Sequence, residues 1–541
     1  MKLGMVIADS PARAKVGGIK ASRTAGRGCP YCLFDIDDLG NPNVIPAQKR
    51  GSEHRLQSLK CIRAAGQAQH DRLGVRYSIL NELPYYSTPH MCPPDYMHAI
   101  HLGLCKRFYH LFLVLGCGRI RNRLGDLQRV FERTMLPSTA QRPDNRIGDP
   151  SGGNPNAQQW VTLFRHQLVF GLIELWSKAL SGSTRLSLKF KPKQKSSRRM
   201  VLEGEKPVED VFEAAVLLSA IVNLMEQGSF TEQEVRRLEE LIVRFNRQQA
   251  NLLGAGWLTY NSHLAEHIPE FIRRYGSPRN FSCYPFESYN GVLSRMRKCT
   301  RKGGALEASM MRIVSLRSEL EREIRGLPEE MRDELERYVG GSHRELGDIV
   351  ETSMAKTAME HKTKRLLIDR LNGTDKSIQG MYKSSLDSTR GSDDVGITPK
   401  AQHFHSLVKE CFPYPMRISS ANQGGSVNVG NTWVIARITP ERSAVAQVLW
   451  LFRKRVRVGM EEGEEEERYY AHIRMMVMVS PTSALGEHHP CLDLMEEMGI
   501  QFGDPEGSGA EMVIKYTQIT NQVSVCPFSS INGRYLGVKV V

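Results

Sequence analysis

Four side chains of this sequence have the types and spacing of a zinc site. Cys29 and Cys32 form a Gly-flanked Cys-x-x-Cys, a turn that aims two thiolates at one point. His263 and His267 are four residues apart, one turn of a helix, and share a face. Together they supply a tetrahedral Cys2His2 set for a structural Zn2+. An acid accompanies each pair at the same interval: Asp9 lies twenty residues before Cys29, and Glu287 twenty after His267. That arrangement reads as an Asp and a Glu for a catalytic metal beside the zinc ligands. Ordinary free cysteines and an incidental histidine pair are the competing reading. A third acid, Asp95, stands three residues before His98 at the head of an apolar stretch. The pair is either a helix cap or an acid and imidazole held on a rigid helix start for metal chemistry.

Several elements must position these groups. Lys2 to Ala8 reads as a short buried strand that ends at Asp9, with Pro11 stopping its continuation. Met97 to Leu115 reads as a helix apolar on most faces, buried in a bundle. Further helices are expected over Gln158–Leu180, Val208–Glu226, Thr231–Gln249 with Thr231 and Glu234 as a capping box, from Ser262 onward, over Glu287–Lys298, and over Ala305–Ile324. Ser183 to Lys206 reads as a basic loop, in which Lys191, Lys193, Lys195, Arg198 and Arg199 suit phosphate groups through counterion release. Arg295, Arg297 and Lys298 form a second cationic cluster just past Glu287, where a metal ion and a phosphodiester could bind together. Beyond a Ser/Thr/Gly-rich linker the texture turns β-like, with six short strands that suggest a small barrel or sandwich. The expected class is α+β, divided as 1–95, a helical 96–262, 263–340, a linker 341–402, and a β-rich 403–541.

Composition narrows the partners. The chain has 541 residues, a net charge of +14 and 11 cysteines, and a sequence pI of about 9.2. The charge favours a polyanion, nucleic acid first. An odd number of irregularly spaced cysteines argues against a disulfide framework and for a reducing compartment. No apolar run reaches the ~18 residues of a membrane span, and the first residues lack a signal-peptide pattern, so a soluble intracellular protein is expected.

Three groups of residues resemble DDE-type DNA transposases of the CACTA (EnSpm) group, with kinship to the Transib and V(D)J recombinase branch. They are Ala8-Asp9-Ser10-Pro11-Ala12 followed by Gly28-Cys29-Pro30-Tyr31-Cys32; Pro94-Asp95-Tyr96-Met97-His98 leading into His101-Leu102-Gly103-Leu104; and His263-Leu264-Ala265-Glu266-His267 leading into Tyr284-Pro285-Phe286-Glu287-Ser288-Tyr289-Asn290-Gly291. The resemblance covers about residues 1–300. It implies a ribonuclease H-like core interrupted by a large all-helical insertion, with three carboxylates holding two Mg2+ ions for DNA strand cleavage and transfer. Asp9 would be the second carboxylate, on the fourth strand of that core, and Glu287 the third. Cys29, Cys32, His263 and His267 would be a zinc clip tying the insertion to the core.

The sequence departs from the family pattern at its start: eight residues precede Asp9, so the first three strands and the first carboxylate are expected to be missing. The reading that follows is a partial core in a transposase-derived, nuclear DNA-binding protein, inactive alone, with a homodimer as a possible assembly. One alternative is an active metal-dependent nuclease using Asp9, Asp95 and Glu287. Another is a chromatin or protein interaction module carried by the C-terminal β domain, bromo-adjacent-homology-like or SH3-like.

Overall fold

The computed structural model describes residues 3–19, 29–34, 50, 53–60, 74–115, 123–149, 151–177, 179–180, 185–190, 202–295, 304–328, 331, 349–354, 362–363, 366–367, 370, 402–409, 416–422, 428–457, 465–486, 489, 491–507 and 509–541. The α+β expectation holds: helices dominate up to residue 325, and a curled antiparallel sheet dominates after it.

The chain opens differently from the expected strand. Residues 3–9 belong to no ladder, although Val6 N–H donates to Met91 O at 2.8 Å. Asp9 instead caps a helix, α1 (Ser10–Val16), its Oδ1 accepting from Ala12 N–H at 2.8 Å. Pro11 starts this helix rather than stopping a strand, because the first turn has no use for the missing N–H and its φ is already helical.

Met97–Cys105, Lys106–Phe108 and Tyr109–Leu115 follow one another as a single helix, α2. Its first and last parts are wound wide; Lys106 N–H reaches back five residues to His101 O. Around it pack α3 (Leu124–Arg133), α4 (Ala157–His166), α5 (Leu168–Trp176), α6 (Val208–Met225) and α7 (Glu232–Leu253). The helix expected over Gln158–Leu180 breaks at Gln167, which leaves helical geometry at φ −129° and gives its amide to Phe131 O at 2.9 Å. α6 is buried on almost every face and forms the middle of the bundle. The Thr231–Glu234 capping box opens α7 as expected. Part of the basic loop is a hairpin, β1 (Arg185–Phe190) against β2 (Leu202–Pro207). Its tip, with Lys191, Lys193, Lys195, Arg198 and Arg199, lies outside the described residues.

The expected helix from Ser262 is two helices, α8 (Tyr260–Ala265) and α9 (Ile268–Tyr275), because Pro269 cannot continue the ladder of the first. α10 (Tyr284–Arg295) carries Glu287 in its first turn, and α11 (Ala305–Arg325) follows.

The C-terminal sheet has more strands than the sequence suggested. Along its path run β11 (Glu511–Lys515), β8 (Glu465–Met475), β7 (Ser443–Arg457), β6 (Trp433–Arg437), β12 (Ile519–Ser530), β13 (Gly533–Val540), β10 (Gln501–Gly503) and β9 (Met478–Val479). A side branch adds β3 (Ile349–Met354), β4 (Gln402–Lys409) and β5 (Met416–Ser419), with β4 joined to β7. β3 lies inside the stretch read as linker. One face of the sheet packs on its own apolar cluster, and the β12–β13 side packs on the helices. Gly537 makes that seam close: a Cβ there would lie 2.2 Å from the Phe170 ring on α5. No described helix is long and apolar enough to cross a membrane.

Candidate metal centre

Cys29 and Cys32 meet His263 and His267 across more than 230 residues of chain. Cys29 Sγ lies 3.4 Å from His267 Nε2, Cys32 Sγ lies 3.3 Å from His263 Nε2 and 3.5 Å from His267 Nε2, and the two Nε2 atoms are 3.2 Å apart. A regular tetrahedron with bonds of ~2.05 Å to nitrogen and ~2.3 Å to sulfur has N···N edges of about 3.3 Å and N···S edges of about 3.6 Å. The four atoms thus stand at the corners that a zinc-sized ion requires, and the cluster could hold such a metal.

The surroundings orient each donor. Arg50 Nε donates to the carbonyls of Cys29 at 2.7 Å and Cys32 at 3.2 Å, which closes the turn around the thiols. Burial pushes the Cys29 thiol up, but hydrogen bonds from Cys32 and the Tyr31 backbone, with the Arg50 charge, outweigh it and hold the group below its ordinary value. Cys32 moves the other way, through its hydrogen bond to Cys29 and its burial. Phe34 stacks on His263 with ring centres 3.9 Å apart. Glu266 Oε2 lies 3.8 Å from His263 Nδ1, the side away from the cluster, and Glu266 is itself held by Asn246 at 2.7 Å. A carboxylate behind a ligating imidazole is the usual way to fix its tautomer. Splitting the helix at Pro269 places His263 in the last turn of α8 and His267 at the head of α9. Gly103 lets α8 approach α2, since a Cβ there would meet Asn261 Nδ2, on α8, at 2.4 Å.

A second cluster forms where α2 begins. The Asp95 side chain is buried and both of its oxygens are engaged: Oδ1 accepts from Cys283 N–H at 2.9 Å, and Oδ2 accepts from His98 N–H at 3.2 Å and pairs with His98 Nδ1. His98 Nε2 faces Glu287 Oε1 at 3.4 Å. The cap and the acid–imidazole pair, open alternatives in the sequence, are therefore the same contact. His98 is held above its ordinary value, first by the hydrogen bond to Asp95 and then by the charges of Asp95, Glu287 and Asp9, while burial works against them. Burial would raise Asp95, but His98 and the Cys283 amide lower it. The Cys283 thiol is pushed up to about 12, by burial and then by Asp95. His98 thus belongs with Asp95, Cys283 and Glu287, apart from the Cys2His2 set.

One link ties the clusters together, and another fastens the two helices of the second cluster. Arg13, on the helix that Asp9 caps, donates to Pro93 O at 3.1 Å and lies over the Tyr31 ring at 5.9 Å. His101 Nδ1 and Tyr284 OH, at 2.8 Å, join α2 to the head of α10. Arg295 is the last residue of α10, whereas Arg297 and Lys298 lie outside the described residues. Sequence reasoning missed Cys283, Arg13, Arg50 and Glu266. Cys283 stands four residues before Glu287, and Glu266 between the histidines, so only their neighbours in sequence marked them. Compared with known proteins, the chain matches no family model and no curated protein.

Proposed function

We propose that this chain is a transposase-derived, nuclear DNA-binding protein, a remnant of a metal-dependent DNA strand cleavage and transfer enzyme of ribonuclease H-like ancestry. The observation that carries the reading is the convergence of Cys29 and Cys32 with His263 and His267 next to a site that gathers Asp95, His98 and Glu287 under the charge of Asp9. In this reading a structural Zn2+ clips the N-terminal segment to the helices that carry Glu287. Asp9 and Glu287 are the residues that would hold Mg2+, whose chemistry would be to activate water or a DNA 3′-hydroxyl.

Asp95 could hold a metal ion together with His98 and Cys283, but its oxygens also bind the Cys283 amide and His98, and the resemblance gives it no place among the three carboxylates. Two carboxylates fall short of the set that a two-metal displacement needs. DNA binding without strand cleavage is therefore the activity proposed for the chain by itself. The net charge of +14 supports a DNA partner.

The test is a mobility-shift assay of the full chain on duplex DNA, run beside a nicking assay with Mg2+ or Mn2+ and the Glu287→Ala variant. Binding without nicking is expected. Metal-dependent nicking that disappears in Glu287→Ala would replace the proposal with an active nuclease using Asp9, Asp95 and Glu287. Failure to bind DNA would remove the reading altogether.

A further inference from the structure

Where α2 begins, three donor side chains of different chemistry converge. Asp95 offers a carboxylate, His98 an imidazole and Cys283 a thiol, and their ligand atoms lie within 4.8 Å of one another. Asp95 is 3% exposed and Cys283 5%, while His98 is half-buried and opens the group to one side. Two of the donors come from the head of α2 and the third from just before α10, so the fold assembles the set. Met97 and Ala157 pack with Cys283, and Ile7 and Tyr284 lie against them, which gives the inner side an apolar wall.

The supports around these donors are those of a ligand set. Asp95 Oδ1 accepts from Cys283 N–H at 2.9 Å, and Oδ2 accepts from His98 N–H at 3.2 Å. A carboxylate has about four acceptor sites, so these amides fix it without excluding an ion. Ligating carboxylates are commonly held in this way. His98 Nδ1 pairs with Asp95, and its other ring nitrogen, Nε2, faces Glu287 Oε1 at 3.4 Å. A carboxylate thus stands behind this imidazole as Glu266 stands behind His263, where Oε2 lies 3.8 Å from Nδ1.

We propose that Asp95, His98 and Cys283 form a second metal site, for one divalent transition ion of the Zn2+ or Co2+ class. Imidazole and thiolate favour such ions over Mg2+ and Ca2+, which prefer oxygen. Binding displaces the His98 Nδ1 proton and the Cys283 thiol proton to solvent, and leaves Nε2–H to donate to Glu287. Three protein donors leave a fourth position to water, so the site is of the open kind. With one donor fewer than the Cys2His2 set and an exposed side, it holds its ion less tightly and fills from added metal. No DNA and no Mg2+ enter it, so the site stands apart from the DNA-binding reading.

The experiment adds Co2+ to the full chain carrying its structural zinc and follows thiolate-to-cobalt charge-transfer absorption. Elemental analysis of the desalted protein counts zinc and cobalt in parallel. Wild type is compared with Cys283→Ser, His98→Gln, Glu287→Gln and the control Cys491→Ser. Cys283→Ser is nearly isosteric and keeps the backbone amide that Asp95 binds, and His98→Gln changes a half-buried side chain, so either one keeps the test readable if the other misfolds. The expected result is one equivalent of cobalt with the zinc retained, and a thiolate band in wild type and Cys491→Ser that is absent in Cys283→Ser. His98→Gln and Glu287→Gln should weaken cobalt binding, the second by about 10–100-fold, the usual loss for a group behind a ligating imidazole. Cobalt uptake matched by zinc loss would put the ion in the Cys2His2 set and overturn the second site. So would a thiolate band that survives in Cys283→Ser, or a zinc-loaded wild type that takes up no cobalt.

Discussion

At the scale of single residues, the Cys2His2 cluster makes the sharpest prediction. Cys29 and His267 come from segments far apart in sequence, yet their ligand atoms lie 3.4 Å apart. Purified wild-type protein should carry one equivalent of zinc by elemental analysis, and Cys29→Ser and His267→Ala should each lose it. Both should also be destabilised by more than about 3 kcal/mol, since a lost structural metal belongs to the small class of large single-site effects. Zinc that survives either substitution would break the link between the two segments. Glu511 offers a second residue-scale test. Burial would raise this carboxyl, but hydrogen bonds from Lys362 and Arg474 and the charge of His472 bring it down to about 2, from an ordinary 4.5. A group depressed in the folded state contributes stability that is complete above about 4.5 and is lost as the pH falls toward 2. Glu511→Gln should therefore be less stable than wild type at pH 7, and the two unfolding curves should approach one another as the pH falls through that window. Parallel curves would show that Glu511 gains nothing from its partners.

At the scale of elements, the contact between α5 and β13 depends on one absent methyl group. A Cβ on Gly537 would overlap the Phe170 ring, and its nearest atoms, at 2.2 and 2.4 Å, belong to a rigid aromatic side chain. Gly537→Ala should cost about 1–3 kcal/mol, the usual range for overpacking. Adding Phe170→Leu should recover part of that loss, because the smaller side chain vacates the space. Additive losses in the double variant, measured by denaturant unfolding, would place the strain elsewhere. The head of α2 illustrates a different economy of parts. One buried carboxylate, Asp95, caps the helix, orients His98 and anchors the amide that leads into α10. An element boundary and a candidate site are built from the same three bonds.

At the scale of the whole molecule, the helices and the sheet are joined by polar contacts as well as apolar ones. Arg133 Nε donates to Pro527 O at 3.0 Å, Ser529 N–H donates to Glu174 Oε2 at 2.9 Å, and Met135 bridges to Val525. The candidate metal centre lies elsewhere, between the N-terminal segment and α8–α9. Chelation should therefore act locally. Hydrogen exchange is expected to rise together in residues 29–34 and 260–275, segments that are remote in sequence, while β12 and β13 keep their protection. A uniform rise across the sheet would show instead that the metal holds the entire chain in one cooperative unit.

Much of this was legible in the sequence, for reasons that are local. The Cys-x-x-Cys and the His-x3-His mark four candidate ligands by type and spacing, and the structure brings those four together. The Thr231–Glu234 box marks a helix start because both bonds close within four residues. Apolar β-branched runs near the C-terminus announced strands, though β3 went unseen inside a polar segment whose pairing with β4 is settled some fifty residues later. Other features required the tertiary structure. Leu3–Ala8 is as apolar as a strand but finds no ladder, and Asp9 serves a helix instead. Cys283 gains its place only because Asp95 reaches its amide. Residue chemistry and short-range periodicity are properties of the chain itself. Which distant groups meet is decided by packing, and packing gave Asp95, His98 and Glu287 one site.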